Sequence, residues 1–492
     1  MNILLVNPET PNTFWSFSNA VKFIAKKASD IPLGLLTVGA MLPPEWSKKL
    51  IDMNVTMLRD KDILWADYVF LGGMNVQRQS FNRVVTRCNQ LGVKVVAGGP
   101  MVTTDYRDML GVDYFVLNEA EYTLPPFLDD LKRGTPKRVY SSAEFPDLAL
   151  TPIPQWDLLK MKKYAGMGVQ YSRGCPFDCE FCSITMLNGR IPRTKSTPQF
   201  LAELQSLYDH GWRGAVFVVD DNFIGKKSTL KKELLPALIR WSNEHGHPFK
   251  FTTEVSINLA DDPELLKLMV AAGFHHAFVG IETPDDASLA ECGKTQNQKR
   301  DLVGAVKTMQ HAGLVVSGGF IVGFDNDTPS IFSRQIEFIQ KSGIATAMVG
   351  LLSAPTNTRL YRRLKQENRL LNTASGNNMD GTLNFVPKMN YQMLVQGYKQ
   401  ILETIYSPKE YYERVKVLLQ EYNANAQQKG RITLADIRAF LRTLWKLGLF
   451  DKGAKYYWKL LTYSLFHCPQ KFALAVTMAI YGFHFRRIVQ EV

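Results

Sequence analysis

The chain is poor in cysteine and histidine: its 492 residues hold six cysteines and eight histidines, and no histidine precedes His210. So few thiols exclude a disulfide-stapled scaffold. The stretch before His210 can offer no imidazole to a metal or cofactor. No apolar run reaches the ~20 residues of a membrane-spanning helix; the apolar stretch 472–485 has fourteen. No basic segment followed by a short apolar core opens the chain, so neither a secretory signal nor an oxidising destination is expected. No acid-base or nucleophile triad is recognisable either, so proton transfer is not expected at the centre of the chemistry.

What is present is ordinary for a globular, cytoplasmic enzyme with sizeable cores: 46% hydrophobic and 21% charged residues. The length fits two to four domains. Lys and Arg exceed Asp and Glu by 58 − 46 = 12. That excess suits an acidic partner, such as nucleic acid or an anionic membrane, and equally a basic surface with no partner. With no RNA-binding module in the sequence, nucleic acid is not the expected partner.

Half of the cysteines stand together. Cys175, Cys179 and Cys182 lie in SRGCPFDCEFC, spaced C-x3-C-x2-C, a pattern that chance yields in roughly one chain in a thousand at this cysteine content. Three thiolates can hold a four-iron, four-sulfur cluster and leave one iron open to a ligand. A structural zinc site of three cysteines and a histidine is the alternative, though no histidine follows at the usual ligand spacing.

The string CPFDCEFC, with Phe181 before the third cysteine, resembles the signature of the radical S-adenosylmethionine (SAM) superfamily. The resemblance implies that the open iron chelates the amino and carboxylate groups of SAM, with Phe181 near the adenine. It also implies reductive cleavage to a 5′-deoxyadenosyl radical, fed by a one-electron donor such as flavodoxin or ferredoxin.

Residues 1–140 alternate apolar strands and helices: MNILLVNP, the helical LGLLTVGAML, DYVFLGG, KVVAGGP and VDYFVLNEAE. This predicts a doubly wound, Rossmann-like parallel sheet with ligand loops at Asn7 to Phe14, Gly72 to Gln79 and Gly98 to Thr103. Gly98 and Gly99, lacking a Cβ, would let a bulky ligand approach. Ahead of a radical SAM motif, PLGL at Pro32 to Leu35, GGP at Gly98 to Pro100 and NEAE at Asn118 to Glu121 resemble a cobalamin-binding domain. The D-x-H-x-x-G string that gives cobalt a histidine in many cobalamin proteins is absent. The lower cobalt face would then be bare, water-bound or covered by a loop residue, with Asn75, Gln77 and Arg78 as candidates.

Residues 141–165, with Pro146, Pro152 and Pro154, read as a linker. From 166 to 370 the pattern repeats strand then helix, starting with GVQYSR, which runs straight into the cysteine loop. The resemblance implies a partial (β/α)6 TIM-type barrel, with functional residues at the carboxyl ends of its strands. Asp220, Asp221, Glu254, Glu282 and Asp325 stand there. Asp221, Glu254 and Glu282 are the candidates to bind the SAM ribose or amino group, against helix capping or salt bridging. Gly323, with Gly318 and Gly319, would let adenine pack on backbone, or only relieve crowding. Asn357 stands where relatives carry a turn glycine and can adopt the same left-handed backbone. His275, His276, Cys88 and Cys292 read as structural residues.

Residues 371–492 read as a mostly helical extension, similar to that of the cobalamin-dependent, class B type radical SAM enzymes that include the bacterial hopanoid C-2 methylase. The expected activity is C-methylation of an unactivated carbon in a small-molecule or lipid substrate. Radical rearrangement, cyclisation or oxidation with the same [4Fe-4S], SAM and cobalamin is the alternative, and a non-catalytic electron-transfer or sensory protein a further one. The stretch 472–485, flanked by Lys471, Arg486 and Arg487, either touches the inner membrane surface peripherally or packs on the barrel.

Overall fold

The computed structural model describes residues 1–372, 374–377, 379–423 and 434–491. The first apolar runs form strands β1 (Asn2–Asn7), β2 (Ser47–Asp52), β3 (Tyr68–Gly72), β4 (Lys94–Gly98), β5 (Tyr114–Val116) and β6 (Val139–Tyr140). They lie in the order β2-β1-β3-β4-β5-β6, every pair parallel. Both faces are covered, because alternate residues feed different cores. Leu4 and Val6 pack with Phe81 and Val84 of the helix Arg78–Gln90. Ile3 and Leu5 pack with Leu124 and Phe127 of the helix Ala120–Lys132. The order reverses between β1 and β3, which opens a crevice at the strands' carboxyl ends. β2 was not among the expected strands. It lies at the edge, where Lys48 and Lys49 blunt further pairing.

The second sheet holds β7 (Gly166–Val169), β10 (Gly214–Val218), β11 (Phe249–Val255), β12 (Phe274–Glu282), β13 (Val315–Val322) and β14 (Ala347–Leu351). Between β7 and β10 comes a two-stranded antiparallel ribbon of β8 (Ser172–Arg173) and β9 (Arg193–Thr194). The order β14-β13-β12-β11-β10-β7 is wholly parallel and curls into an open half-barrel. Ala277, Val279 and Ile281 of β12 are fully buried against the helices, whereas Phe278 and Gly280 face the half-open lumen. The N-terminal segment covers the β7 edge, where Ala165 and Gly166 donate their amides to Ala28 and Ser29 carbonyls at 2.9 and 3.0 Å.

The C-terminal stretch forms an eighteen-residue helix, Phe472–Val489, longer than the apolar run suggested. By length and composition it is the one described helix able to cross a membrane, yet half of it is buried in the fold. Tyr411 donates to the Met478 carbonyl at 2.6 Å, and Phe485 stacks on Tyr406 at 5.0 Å. The stretch is a packed helix, but it rests on the other C-terminal helices and the N-terminal segment rather than on the barrel strands.

Candidate functional site

The cysteine loop leaves β8 at the carboxyl end of the half-barrel, and two neighbouring acids of β10's exit hold it. Asp220 accepts from the Tyr171 amide at 2.8 Å and the Ser172 hydroxyl at 2.6 Å; Asp221 accepts from the Gly174 amide at 2.8 Å and Asn188 at 2.9 Å. Within the loop, Cys182 donates its amide to the Cys179 carbonyl at 3.0 Å, and Glu180 donates to the Cys292 carbonyl at 2.8 Å. Arg363 grips the Glu180 carboxylate at 2.8 and 3.1 Å.

Cys175, Cys179 and Cys182 are free and partly buried. Burial pushes all three thiols up, Cys182 to about 12, while Lys294 opposes the shift in each. Among the described residues no three His, Cys, Asp or Glu converge on one ion position. Three cysteine thiols spaced along one loop can give one ligand each to three irons of a cubane.

Lys294 is the residue that sequence reasoning missed. Its ammonium is buried and donates to Glu282 at 2.6 Å. Burial would depress its pKa, but Glu282 and then Cys179 overcome that and raise it, so it stays charged beside the cysteines. Its position after β12, at the barrel's carboxyl end, was the available signal. Glu282 has a left-handed backbone, φ 65°, at the end of β12.

Glu254 feels Asp221, Lys294 and Glu282 electrostatically, so the expected acids gather around one space. Its carboxyl has no hydrogen-bond partner among the described residues, and burial, followed by repulsion from Asp221, lifts it to about 7. Phe181 lies 6.3 Å from the Phe324 ring. Gly323 has φ 109° and donates its amide to Asp327 at 2.8 Å.

Asp325 belongs to a structural network instead. Against burial, Arg369 and Arg363 hold its carboxyl at about 2. His276 meets Ser317 at 2.7 Å and burial drops it to about 3, in keeping with a structural role. Asn357 has the left-handed backbone expected of it, φ 68°.

At the first sheet, a Cβ on Gly98 would stand 2.8 Å from the Val116 carbonyl, so the neighbouring strand already requires this glycine. Gly99, with φ 96°, caps the crevice against Gly73. Two of the candidates for the lower cobalt face are committed elsewhere. Gln77 braces the loops through Met74, Pro8 and Thr10, and Arg78 pairs with Asp105. Polar loop residues read alike from sequence whether they face a ligand or hold the loop. Gly376 of the C-terminal extension lies on Asn75 and Val76.

Two contacts join this crevice to the barrel. Trp15 packs on Phe278 at 4.8 Å. The NEAE string clamps the ribbon that bears the cysteines: Arg173 donates to Glu119 at 2.5 Å and to Glu121 at 2.8 Å, and Arg193 to Glu119 at 2.5 Å.

The Radical SAM superfamily model matches residues 169–339, and the Domain of unknown function (DUF4070) model matches 358–492. A Synechocystis sp. protein described as uncharacterized methyltransferase sll1242 is 39% identical over 100% of this chain and 93% of its own length. The hopanoid C-2 methylase of Rhodopseudomonas palustris is 32% identical over 93% of this chain and 88% of its own. Among solved structures, the cobalamin-dependent SAM radical enzyme OxsB aligns over 100% of this chain and 80% of its own, with TM-score 0.64 and 16% identity. The radical SAM methyltransferase TsrM from Kitasatospora setae aligns over 100% and 99%, with TM-score 0.60 and 14% identity. This chain therefore belongs to the radical SAM methyltransferase family that includes the hopanoid C-2 methylase, and it shares its fold with cobalamin-dependent radical SAM enzymes.

Proposed function

We propose that this enzyme methylates an unactivated carbon of an apolar, isoprenoid-type lipid. The observation that carries the reading is the Trp15–Phe278 contact at 4.8 Å, in which a half-exposed indole from the cobalamin-type module meets a lumen-facing ring of the barrel. An aromatic surface at the junction of the two modules suits a large apolar acceptor. The 32% identity to a hopanoid C-2 methylase supports the same substrate class.

In this reading Cys175, Cys179 and Cys182 hold the cluster. Phe181 borders the adenine, and Asp221, Glu254, Glu282 and Gly323 form the SAM site. Gly98 and Gly99 belong to the corrinoid crevice. When bound, these groups supply one-electron cleavage of SAM and a transferable methyl group. The chain's own part is electrostatic and steric. Lys294 offsets the negative charge of three thiolates and neutralises Glu282. Glu254, which burial lifts to about 7, can in its protonated form donate a hydrogen bond to an anionic or carbonyl oxygen. Trp15 and Phe278 keep water from the acceptor carbon.

The test is anaerobic reconstitution followed by incubation with a polycyclic isoprenoid lipid extract and mass analysis. A lipid heavier by one methylene, absent from the Cys179→Ala protein, is expected. Turnover of SAM with products of unchanged lipid mass would refute methylation, and a methylene gain confined to water-soluble acceptors would refute the lipid class.

A further inference from the structure

We infer that the helix Leu434–Lys446 and the turn that follows it dock this protein on an anionic phospholipid bilayer, an inference that takes its purpose from the lipid-acceptor reading above. Leu434, Ile437, Leu441 and Trp445 recur at helical spacing and all point outward, with Leu434 73% and Trp445 62% exposed. Phe450, 69% exposed, packs with its ring tilted on Trp445 at 5.1 Å, and half-exposed Trp458 donates to the Gly448 carbonyl at 3.0 Å, so the apolar surface continues past the helix end. This is not a frayed core helix. Its opposite face is buried through Ala439 and Thr443, Thr443 bonds Tyr457 at 2.8 Å, and Phe440 packs on Phe472 at 5.6 Å.

Charge selects the occupant. Between residues 434 and 459 stand six Lys or Arg and two Asp, and one of those acids, Asp451, is already paired with Arg486 at 3.3 Å. Two such faces would repel each other, which disfavours a second copy of this chain. An apolar stripe with Trp and Phe, rimmed by cations, has the composition of a helix lying in the headgroup region of an anionic leaflet. The location suits a membrane-borne acceptor. Arg442 donates to the carbonyls of Lys22 and Phe23 at 3.2 and 2.8 Å, so the helix rests on the same N-terminal segment that carries Trp15 to Phe278.

The test is co-sedimentation of the full reconstituted chain with vesicles of phosphatidylglycerol and phosphatidylcholine, against vesicles of phosphatidylcholine alone. We expect binding to the anionic vesicles that weakens with salt. In Leu441→Glu/Trp445→Glu, both sites being exposed, we expect at least about tenfold weaker partition with an unchanged melting temperature. Wild-type protein that stays in the supernatant at low salt, or a folded double variant that sediments as well as wild type, overturns the proposal. So does an oligomer without vesicles that the same substitutions dissociate, since a second copy would then cover the face. Sedimentation reads the surface alone and methylene gain in a lipid reads the acceptor, so either can fail while the other stands.

Discussion

Arg173→Leu should loosen the hold of the first sheet on the cysteine loop. Arg173 lies just before Cys175 and forks between Glu119, at 2.5 Å, and Glu121, at 2.8 and 3.1 Å, all three side chains being largely buried. Burial alone would raise the Glu121 pKa; the Arg173 guanidinium overcomes it and holds the carboxyl below its ordinary range. In the variant Glu119 keeps Arg193, but Glu121 keeps only the Thr151 hydroxyl at 2.6 Å. Stranding one partner of a buried pair costs about 3–5 kcal/mol, and since only Glu121 is stranded the lower end applies. At about 2–4 °C per kcal/mol, the first calorimetric transition should fall on the order of 6–12 °C.

Three companion measurements make the reasoning refutable. Arg173→Lys keeps the charge without the fork and should fall between the two. Arg173→Leu/Glu121→Leu removes both charges and should recover most of the loss. The pH dependence has a fixed sign. Because the folded pKa of Glu121 lies below the ordinary 4.5, the clamp's contribution is complete above that value and is lost as pH falls through the folded pKa. The gap between wild type and Arg173→Leu should therefore close in acid. An Arg173→Leu protein that melts with wild type at pH 7 and takes up as much iron would show that the clamp does not couple the modules.

Asp220→Asn tests the other support of the loop: burial lifts Asp220 to about 7, so the native fold loses stability as pH rises from the ordinary 3.8 through that value. The variant should gain up to about 4 kcal/mol on wild type between pH 4 and 8, and parallel melting profiles would contradict this. Lys294→Met removes the charge that lowers all three cluster thiols. Metal-free protein should then be alkylated at Cys179 and Cys182 more slowly at pH 8, by about threefold or more, as read by peptide mass. Gly376→Ala combines a backbone of φ 74° with a Cβ 2.6 Å from that of Asn75 and 2.8 Å from the Val76 amide. Left-handed strain of about 1–2 kcal/mol plus that clash should weaken cobalamin binding by about tenfold, measured by corrinoid titration.

Which parts were legible follows from what each residue answers to. Strands such as AMVGL and GGFIV are covered by helices, so burial specifies them and their apolar runs announce it. β2 escaped because an edge strand need bury only its end: Leu50, Ile51 and Asp52 turn inward while Ser47 to Lys49 stay polar. The three cysteines were legible because a cluster ligand loop is local in sequence. Lys294 was not, because its partner Glu282 lies across the short helix Asp286–Glu291 and the cysteines more than a hundred residues earlier. The C-terminal helices show the limit most sharply. A helix apolar on most faces, Phe472–Val489, reads equally as a membrane or a core element, and it packs through Met478 and Phe485 against Tyr411 and Tyr406. The helix Leu434–Lys446 mixes cations with apolar residues and looks like an ordinary core helix, yet it leaves Leu441 and Trp445 in solvent. The extension thus packs its most apolar helix between its other helices and the N-terminal segment and leaves a less apolar one exposed. Arg438, Lys446 and Lys452 rim that surface and keep it hydrated, and those same cations are what an anionic leaflet would attract.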